Sequence, residues 1–527
     1  MRSRPNGGRA DTDVVVIGAG PNGLVAANLL ADAGWRVLVL EAQADPGGAV
    51  RSSELAAPGF VADWGSSFYP LGFASPVLQA LDLEAHGLRW VWAPLPLAHP
   101  SGDGCAFVER GNVDATAASL DAYAPGDGDR WRSLYRRWER IGPAFLAMLL
   151  SPFPPVRGTL SVARAANVRI PWLTWYALRS LRGAMRGFNG EGGRLLLAGN
   201  AMHTDLPPGA ATGALFGWLL AALAQDVGFP VPEGGAGRFT GALVKRLEAL
   251  GGEVRCGTAV TRIDVRDGRA EGVTTADGTT IGAARGVVAD TSAPALYQEL
   301  LADEHLPWRV RRGLKRFRWD HATVKVDWAL DGHIPWTAEP VRRAGTVHVA
   351  DSVADIEAYC KQLASGLVPA RPFFIVGQMT TTDPTRSPPG TESLWAYTHV
   401  PQDVRGDAGE GVTGRWDASD KERMADRIEA EIERRAPGFR GLVRGRHVLG
   451  PADFQAQDAN LVGGAINGGT AAIRQQLFLR PVPGLRGGAR TFVRGLYLAS
   501  AGAHPGGGVH GACGANAAHL ALRDSRH

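Results

Sequence analysis

Asp13-Val-Val-Val-Ile17 is an unbroken apolar run, the pattern of a parallel strand buried on both faces. The step Gly18-Ala-Gly20-Pro21-Asn22-Gly23 follows at once, and Leu24 to Ala33 reads as a helix closed by Gly34. Arg36 to Leu40 is a second buried strand, ending at Glu41. Farther on, Leu88 to Val108 is β-like. A helix from Gly128 to Leu150 then carries Trp131, Leu134, Trp138 and Ile141 at helical spacing, a stripe read as core. Gly213 to Leu223 is apolar all round, a buried helix too short to cross a bilayer. After Pro232-Glu-Gly-Gly-Ala-Gly237 comes an amphipathic helix with Leu243, Leu247 and Leu250 on its apolar side. The turn pairs Asp267-Gly268 and Asp277-Gly278 divide alternating runs into a β-meander, and Gly286 to Asp290 returns as a buried strand. Thr323 to Leu330 alternates as a strand whose lysine, Lys325, is expected in solvent. Phe373 to Val376 is another apolar run. A polar loop at 401–415 precedes a helix with Met424, Ile428 and Ile432 on one face, stopped by Pro437-Gly438. Gly495 to Ser500 is the final strand, and a helix runs from the following glycine-rich loop through Leu522.

Two βαβ-forming strands, their glycine step and Glu41, eighteen residues beyond Gly23, form a complete dinucleotide-binding unit. Gly18 permits the tight turn, Gly20 admits the pyrophosphate, and Gly23 lets helix and strand pack closely. The helix N-terminus offers N–H groups and partial positive charge to phosphates, and Glu41 is placed for ribose hydroxyls. The chain has 527 residues, of which 45% are hydrophobic, 20% charged and 69 glycine, so it has a large core and more than one domain. A formal charge of +4, from 56 basic and 52 acidic residues, gives no reason to expect nucleic acid. Four scattered cysteines exclude a CxxC site, and no metal cluster is expected. Met1 to Asp11 is polar, without the apolar core of a signal peptide, so a cytoplasmic protein is expected, with an option of peripheral membrane contact.

Pro46-Gly47-Gly48-Ala-Val-Arg51-Ser52, followed by Asp63-Trp-Gly65-Ser66, resembles the paired-glycine signature of FAD enzymes in the amine oxidase and phytoene desaturase superfamily. His504-Pro-Gly-Gly507-Gly508-Val509-His510-Gly511, leading into a small-residue helix, resembles the carboxy-terminal FAD motif of phytoene desaturase-like enzymes. It is more similar still to that of the pyridine nucleotide-disulfide oxidoreductase domain-containing proteins. The resemblance implies an α/β fold with a discontinuous Rossmann-type FAD-binding domain (1–90, 231–299 and 484–527). A mixed α+β substrate domain would take 91–230, a helical lobe, and 300–483, sheet and helices. It assigns FAD contact to Gly18, Gly20, Pro21, Asn22, Gly23, Glu41, Ala42, Gly47, Gly48, Arg51, Gly65, Ser66, Val260, Asp290, Gly502, Gly507, Gly508 and Val509. Within that set Arg51 lies near the phosphates or the ring, and Val260 meets the adenine through its backbone.

Flavin supplies the difficult chemistry, so the protein needs to hold a C–H bond over the ring and dispose of a proton. His504 is the leading polar candidate near that ring, ahead of His203, Lys325 and His510. The expected reaction is a dehydrogenation of a largely apolar, isoprenoid or lipid-like substrate, with oxygen, a quinone or a nicotinamide as final acceptor. An amine oxidase-like enzyme and a flavin-binding interaction protein without turnover are the alternatives. From Arg140 to Gly190 there is no acidic residue, while Arg140, Arg157, Arg164, Arg169, Arg179, Arg182 and Arg186 alternate with aromatics. That stretch suits either a solvated helical lobe whose arginines pair with acids elsewhere or an anionic membrane interface.

Overall fold

A computed structural model describes residues 12–102, 104–166, 170–482 and 488–526; the polar arm Met1 to Asp11 and Arg169 lie outside them. Thr12–Ile17 takes the centre of a sheet, because an apolar run without alternation gains only when covered on both faces. Its parallel strands run in the order Glu253–Arg255, Val37–Leu40, Thr12–Ile17, Thr280–Ala289 and Leu496–Leu498. The helices Pro21–Asp32, Gly237–Ala249 and Ala512–Asp524 pack on one face through Leu24, Ala27, Leu243, Leu247, Ala515 and Ala518. Leu250 does not join them: it caps the end of its helix and is exposed.

The meander and the returning strand are one element where the sequence suggests two. Thr280–Ala289 pairs antiparallel with Arg269–Thr275 at its start and parallel with Thr12–Ile17 at its end. The antiparallel pairs end at Gly282, Thr12 pairs with Ala283, and the register shifts before Gly286, with φ 145°, where a Cβ would stand 2.2 Å from the Gly495 carbonyl oxygen.

The second sheet runs in the order Val443–Leu449, Ala322–Leu330, Glu392–Val400, Phe374–Gln378, Ala344–Val349, Leu95–Ser101 and Gly104–Val108. One face, with Val324, Val326, Trp328, Val347, Phe374 and Ala396, is covered by Ala418–Arg435 through Met424, Ile428 and Ile432. Leu97, Ile375 and Trp395, on the opposite face, meet a helical lobe built on Asp127–Leu150, Glu191–Ala201 and Gly213–Asp226. Trp131, Leu134, Trp138 and Ile141 are all buried in that lobe, as a stripe at helical spacing requires.

Both faces of this sheet being covered has a consequence for Lys325. Thr323, Lys325 and Asp327 alternate with Val324, Val326 and Trp328 as the sequence suggests, yet the polar side is buried too. Lys325 is therefore not in solvent. Its ammonium pairs with the Asp327 carboxylate on the same face, which satisfies a charge that could not otherwise be buried.

Candidate cofactor and substrate site

The first and last helices of the cofactor domain start side by side. At Gly514, in the first turn of the last helix, a Cβ would stand 1.9 Å from the carbonyl oxygen of Asn22, in the first turn of the first helix. Neither helix has a side-chain cap. Two positive helix ends thus converge on the turn after the first strand, an arrangement suited to a diphosphate. Gly23 packs so closely that a Cβ would lie 2.2 Å from the Gly18 oxygen, as the spacing implied.

Acceptors surround this turn. Glu41 is buried, and its carboxylate accepts from the N–H groups of Ala19 (2.8 Å) and Gln43 (2.9 Å), next to Ala42. Asp290 accepts from the Gly23 N–H at 2.7 Å. Burial, little relieved by that bond and reinforced by Asp458 and Glu41, pushes its pKa up to about 7. Asp458 is itself raised by burial. Thr258 N–H donates to the Glu41 carbonyl at 2.8 Å, which brings the start of Val260–Arg266 to the same end of the site.

The paired-glycine segment is tied to this turn by Gly47 N–H donating to Ala19 O (2.9 Å), and Ser66 N–H donates to Ala49 O (3.0 Å), beside Gly65. Arg51 donates to the carbonyls of Gly48 (2.9 Å) and Gln457 (2.8 Å) and lies over Trp64, so it bridges the two domains. Asp63 anchors the same region, fully buried against Arg386 at 2.9 Å, with Asp383 on the guanidinium's other side. Burial opposes charge on Asp63, but Arg386 outweighs it and holds the carboxyl below its ordinary range.

The carboxy-terminal loop completes the cleft. Gly502 lies against Ala293, just after Asp290; Gly507 faces Asn467; Gly508 faces Leu71; and the Val509 oxygen approaches Gly72. Ser75 Oγ donates to the His510 carbonyl at 2.7 Å, and His510 Nδ1 accepts from the Ala512 N–H at 3.1 Å, a helix-start bond. His504 is buried edge-on to Phe153 with Nε2 unpartnered, and burial, with Arg480 nearby, pushes its pKa down to about 4. The three separated segments therefore meet. Val260 sits at the Glu41 end and His504 at the other, where the helical lobe begins.

His203 joins a chain that the sequence did not reveal. Tyr397 Oη lies 3.2 Å from His203 Nδ1, and His203 Nε2 lies 3.0 Å from His348 Nε2. Burial lowers His203 to about 4 and His348 well below its ordinary value, so both rings are neutral at pH 7. Asn467, which touches Gly507, also reaches the His203 carbonyl at 3.5 Å. The signal that was available is polar residues at alternate positions of otherwise apolar strands, His348, Tyr397 and His399 among them. Among the described residues no group of three or more His, Cys, Asp or Glu side chains is placed to hold a metal ion.

Comparison with known proteins agrees with this geometry. Residues 16–82 match the family model of an NAD(P)-binding Rossmann-like domain, and residues 183–406 match that of the Flavin containing amine oxidoreductase. The chain is a flavin-dependent oxidoreductase. It is 27% identical to pyridine nucleotide-disulfide oxidoreductase domain-containing protein 2 of Rattus norvegicus, over 98% of this chain and 94% of that one. It is 26% identical to the all-trans-zeta-carotene desaturase of Myxococcus xanthus, over 94% and 90% of the two chains. An oxidoreductase from Methanosarcina mazei shares the fold at a TM-score of 0.62 and 16% identity, covering 97% of this chain and 99% of that one.

FAD is the cofactor of this oxidoreductase, and its residues fit the group. The paired helix ends can take the diphosphate, Glu41 the ribose, and the loop at 502–509 the distal end. Asn22 Oδ1, buried without a partner at those helix ends, is a polar atom the cofactor can satisfy.

Proposed function

We propose that this oxidoreductase dehydrogenates a largely apolar, isoprenoid or lipid-like substrate that enters from a membrane surface between the helical lobe and the second sheet. The observation that carries the reading is an apolar strip on the lobe. Val156, Leu160, Trp175 and Leu178 are each more than half exposed, on the helices Val156–Ala166 and Ile170–Leu178. Arg179 lies over Trp175 at 4.3 Å, within a stretch that has no acid from Arg140 to Gly190. Apolar side chains with cationic neighbours fit an anionic lipid interface. The same lobe leads inward, since Phe153, at its edge, packs on His504. Among the described residues no helix is long and apolar enough to cross a membrane, so contact would be peripheral.

FAD, when bound, accepts the hydride. The chain's own residues hold the substrate against the Gly502–Val509 loop, exclude water with the aromatic lobe, and take up the proton released alongside. His203, neutral and bonded to Tyr397 and His348, is the proton acceptor of this reading. The final electron acceptor of this reading is oxygen, a quinone or a nicotinamide. A second reading, an amine substrate, is favoured by the match of residues 183–406 to the Flavin containing amine oxidoreductase model.

Anaerobic mixing separates the two. Terpenoid, polyene and acyl substrates are expected to bleach the flavin absorbance, and primary and secondary amines to leave it. Bleaching by amines alone overturns the apolar reading. Flotation with anionic vesicles tests delivery: binding that weakens with salt supports it, and no binding at any salt removes it.

A further inference from the structure

The guanidinium of Arg480 is 2% exposed, yet among the described residues no carboxylate lies within ion-pair distance of it. Its hydrogen bonds all go to main-chain carbonyls. Nε and Nη2 donate to Ala501 O at 3.0 and 2.6 Å, and Nη2 also reaches Asn467 O and Gly468 O at 3.1 and 3.3 Å. Arg480 therefore ties together the two glycine-rich loops that border the distal end of the cofactor cleft. A Cβ on Gly506 would lie 3.1 Å from its Cζ, so the charge stands directly against the Gly502–Val509 loop. The nearest acids are otherwise engaged. Asp320 accepts from the N–H groups of Ile466, Asn467 and Gly469, and Asp205 from that of Ala471. A cation buried without an anion is costly, and folds do not retain one without compensation.

We propose that Arg480 is the positioning residue that sets the electron affinity of FAD in this protein, its charge gaining a further counter-charge when the cofactor is reduced. The inference rests on the FAD assignment. Breaking a substrate C–H bond delivers a hydride, two electrons and one proton, so the cofactor gains one negative charge while the second proton goes to a base. A fixed cation held in a low-dielectric wall favours the state with that added charge. The peptide units of 466–469, with Asp320 on their N–H side and Arg480 on their carbonyl side, hold the cation in place.

The test is the reduction potential of the reconstituted holoprotein, measured against dyes, together with its affinity for sulfite, a nucleophile that adds to electron-poor flavins. Flavin content is read first, because a protein that takes up no FAD overturns the cofactor assignment and this inference with it. In R480M, sulfite affinity is expected to fall about tenfold, and the potential to fall by the equivalent for a two-electron couple, about 30 mV. R480K, which keeps the charge but loses the planar fork, is expected to recover most of the shift. An unchanged R480M, or equal shifts in R480K and R480M, overturns the proposal and leaves Arg480 a loop tie. Should neither variant fold, the parent holoprotein decides: tight sulfite uptake supports the proposal, and none up to the solubility limit overturns it.

Discussion

Asp290 shows how much one side chain can impose on cofactor binding. Its carboxyl accepts from the Gly23 N–H at the helix ends suited to a diphosphate, and burial holds its pKa at about 7. As pH rises through that value the site gains a negative charge beside the phosphates. FAD affinity is therefore expected to fall by up to tenfold per pH unit above about 7. Asp290→Asn keeps an acceptor for Gly23 and removes the titration, so its affinity is expected to be flat from pH 6 to 9. Fluorescence titration of the apoprotein with FAD checks both. At this scale the sequence is informative where chemistry depends on local spacing, as it does from Gly18 to Gly23. It is silent where partners are distant: His203 and His348 are 145 positions apart, and nothing local to either names the other. Lys325 was misplaced for a related reason, because alternation identifies two faces without saying that both are covered.

Among elements, the contact between the first and last helices of the cofactor domain is the most demanding. With a Cβ at Gly514 falling 1.9 Å from Asn22 O, a single methyl must separate two helix ends. Gly514→Ala is expected to cost about 1–3 kcal/mol by overpacking. It is also expected to lose retained FAD, because the paired N-termini no longer converge. Chemical melts and flavin content after gel filtration measure the two effects separately, and a yellow variant of parental stability contradicts the contact. The long helices and most strands of the cofactor domain were legible from periodicity, whereas Ala344–Val349, Glu392–Val400 and Val443–Leu449 of the second sheet and the helices Glu191–Ala201 and Val353–Ala364 were not. The exception in the cofactor sheet, Thr280–Ala289, failed because a glycine pivot looks like a boundary when its two sets of partners are unseen.

For the molecule as a whole, buried imidazoles dominate the response to acid. Burial holds His99 and His399 to about 3 and His203, His504 and His510 to about 4, against 6.5 for an exposed ring. Below pH 6.5 the unfolded chain binds protons that the native state refuses, so this contribution is present above 6.5 and is lost as pH falls. Asp290 and Asp320, raised by burial to about 7 and about 6, act oppositely: their contribution is full below 3.8 and is lost as pH rises through those values. The lowered rings, with His321 and His348 among them, outnumber the raised carboxyls, with Asp327 and Asp458 among them, between pH 4 and 6.5. Stability is therefore expected to climb across that range, peak near 6.5, and decline gently as Asp290 ionises. Urea midpoints from pH 4.5 to 8 trace the curve, and a fall in stability between 4.5 and 6 would mean that the rings are charged when folded.

The central strand Thr12–Ile17 has a neighbour, Thr280–Ala289, that arrives more than two hundred residues later, and the partner of the first helix, Ala512–Asp524, is made later still. On the ribosome, the nascent glycine turn has to wait, its sheet unfinished and its second helix end unsynthesised, while the intervening lobe and sheet emerge. Capture of the vitamin-derived ligand is thus expected to wait on synthesis of Ala512–Asp524, and a product truncated before Ala512 is expected to emerge colourless however much of the chain has already folded.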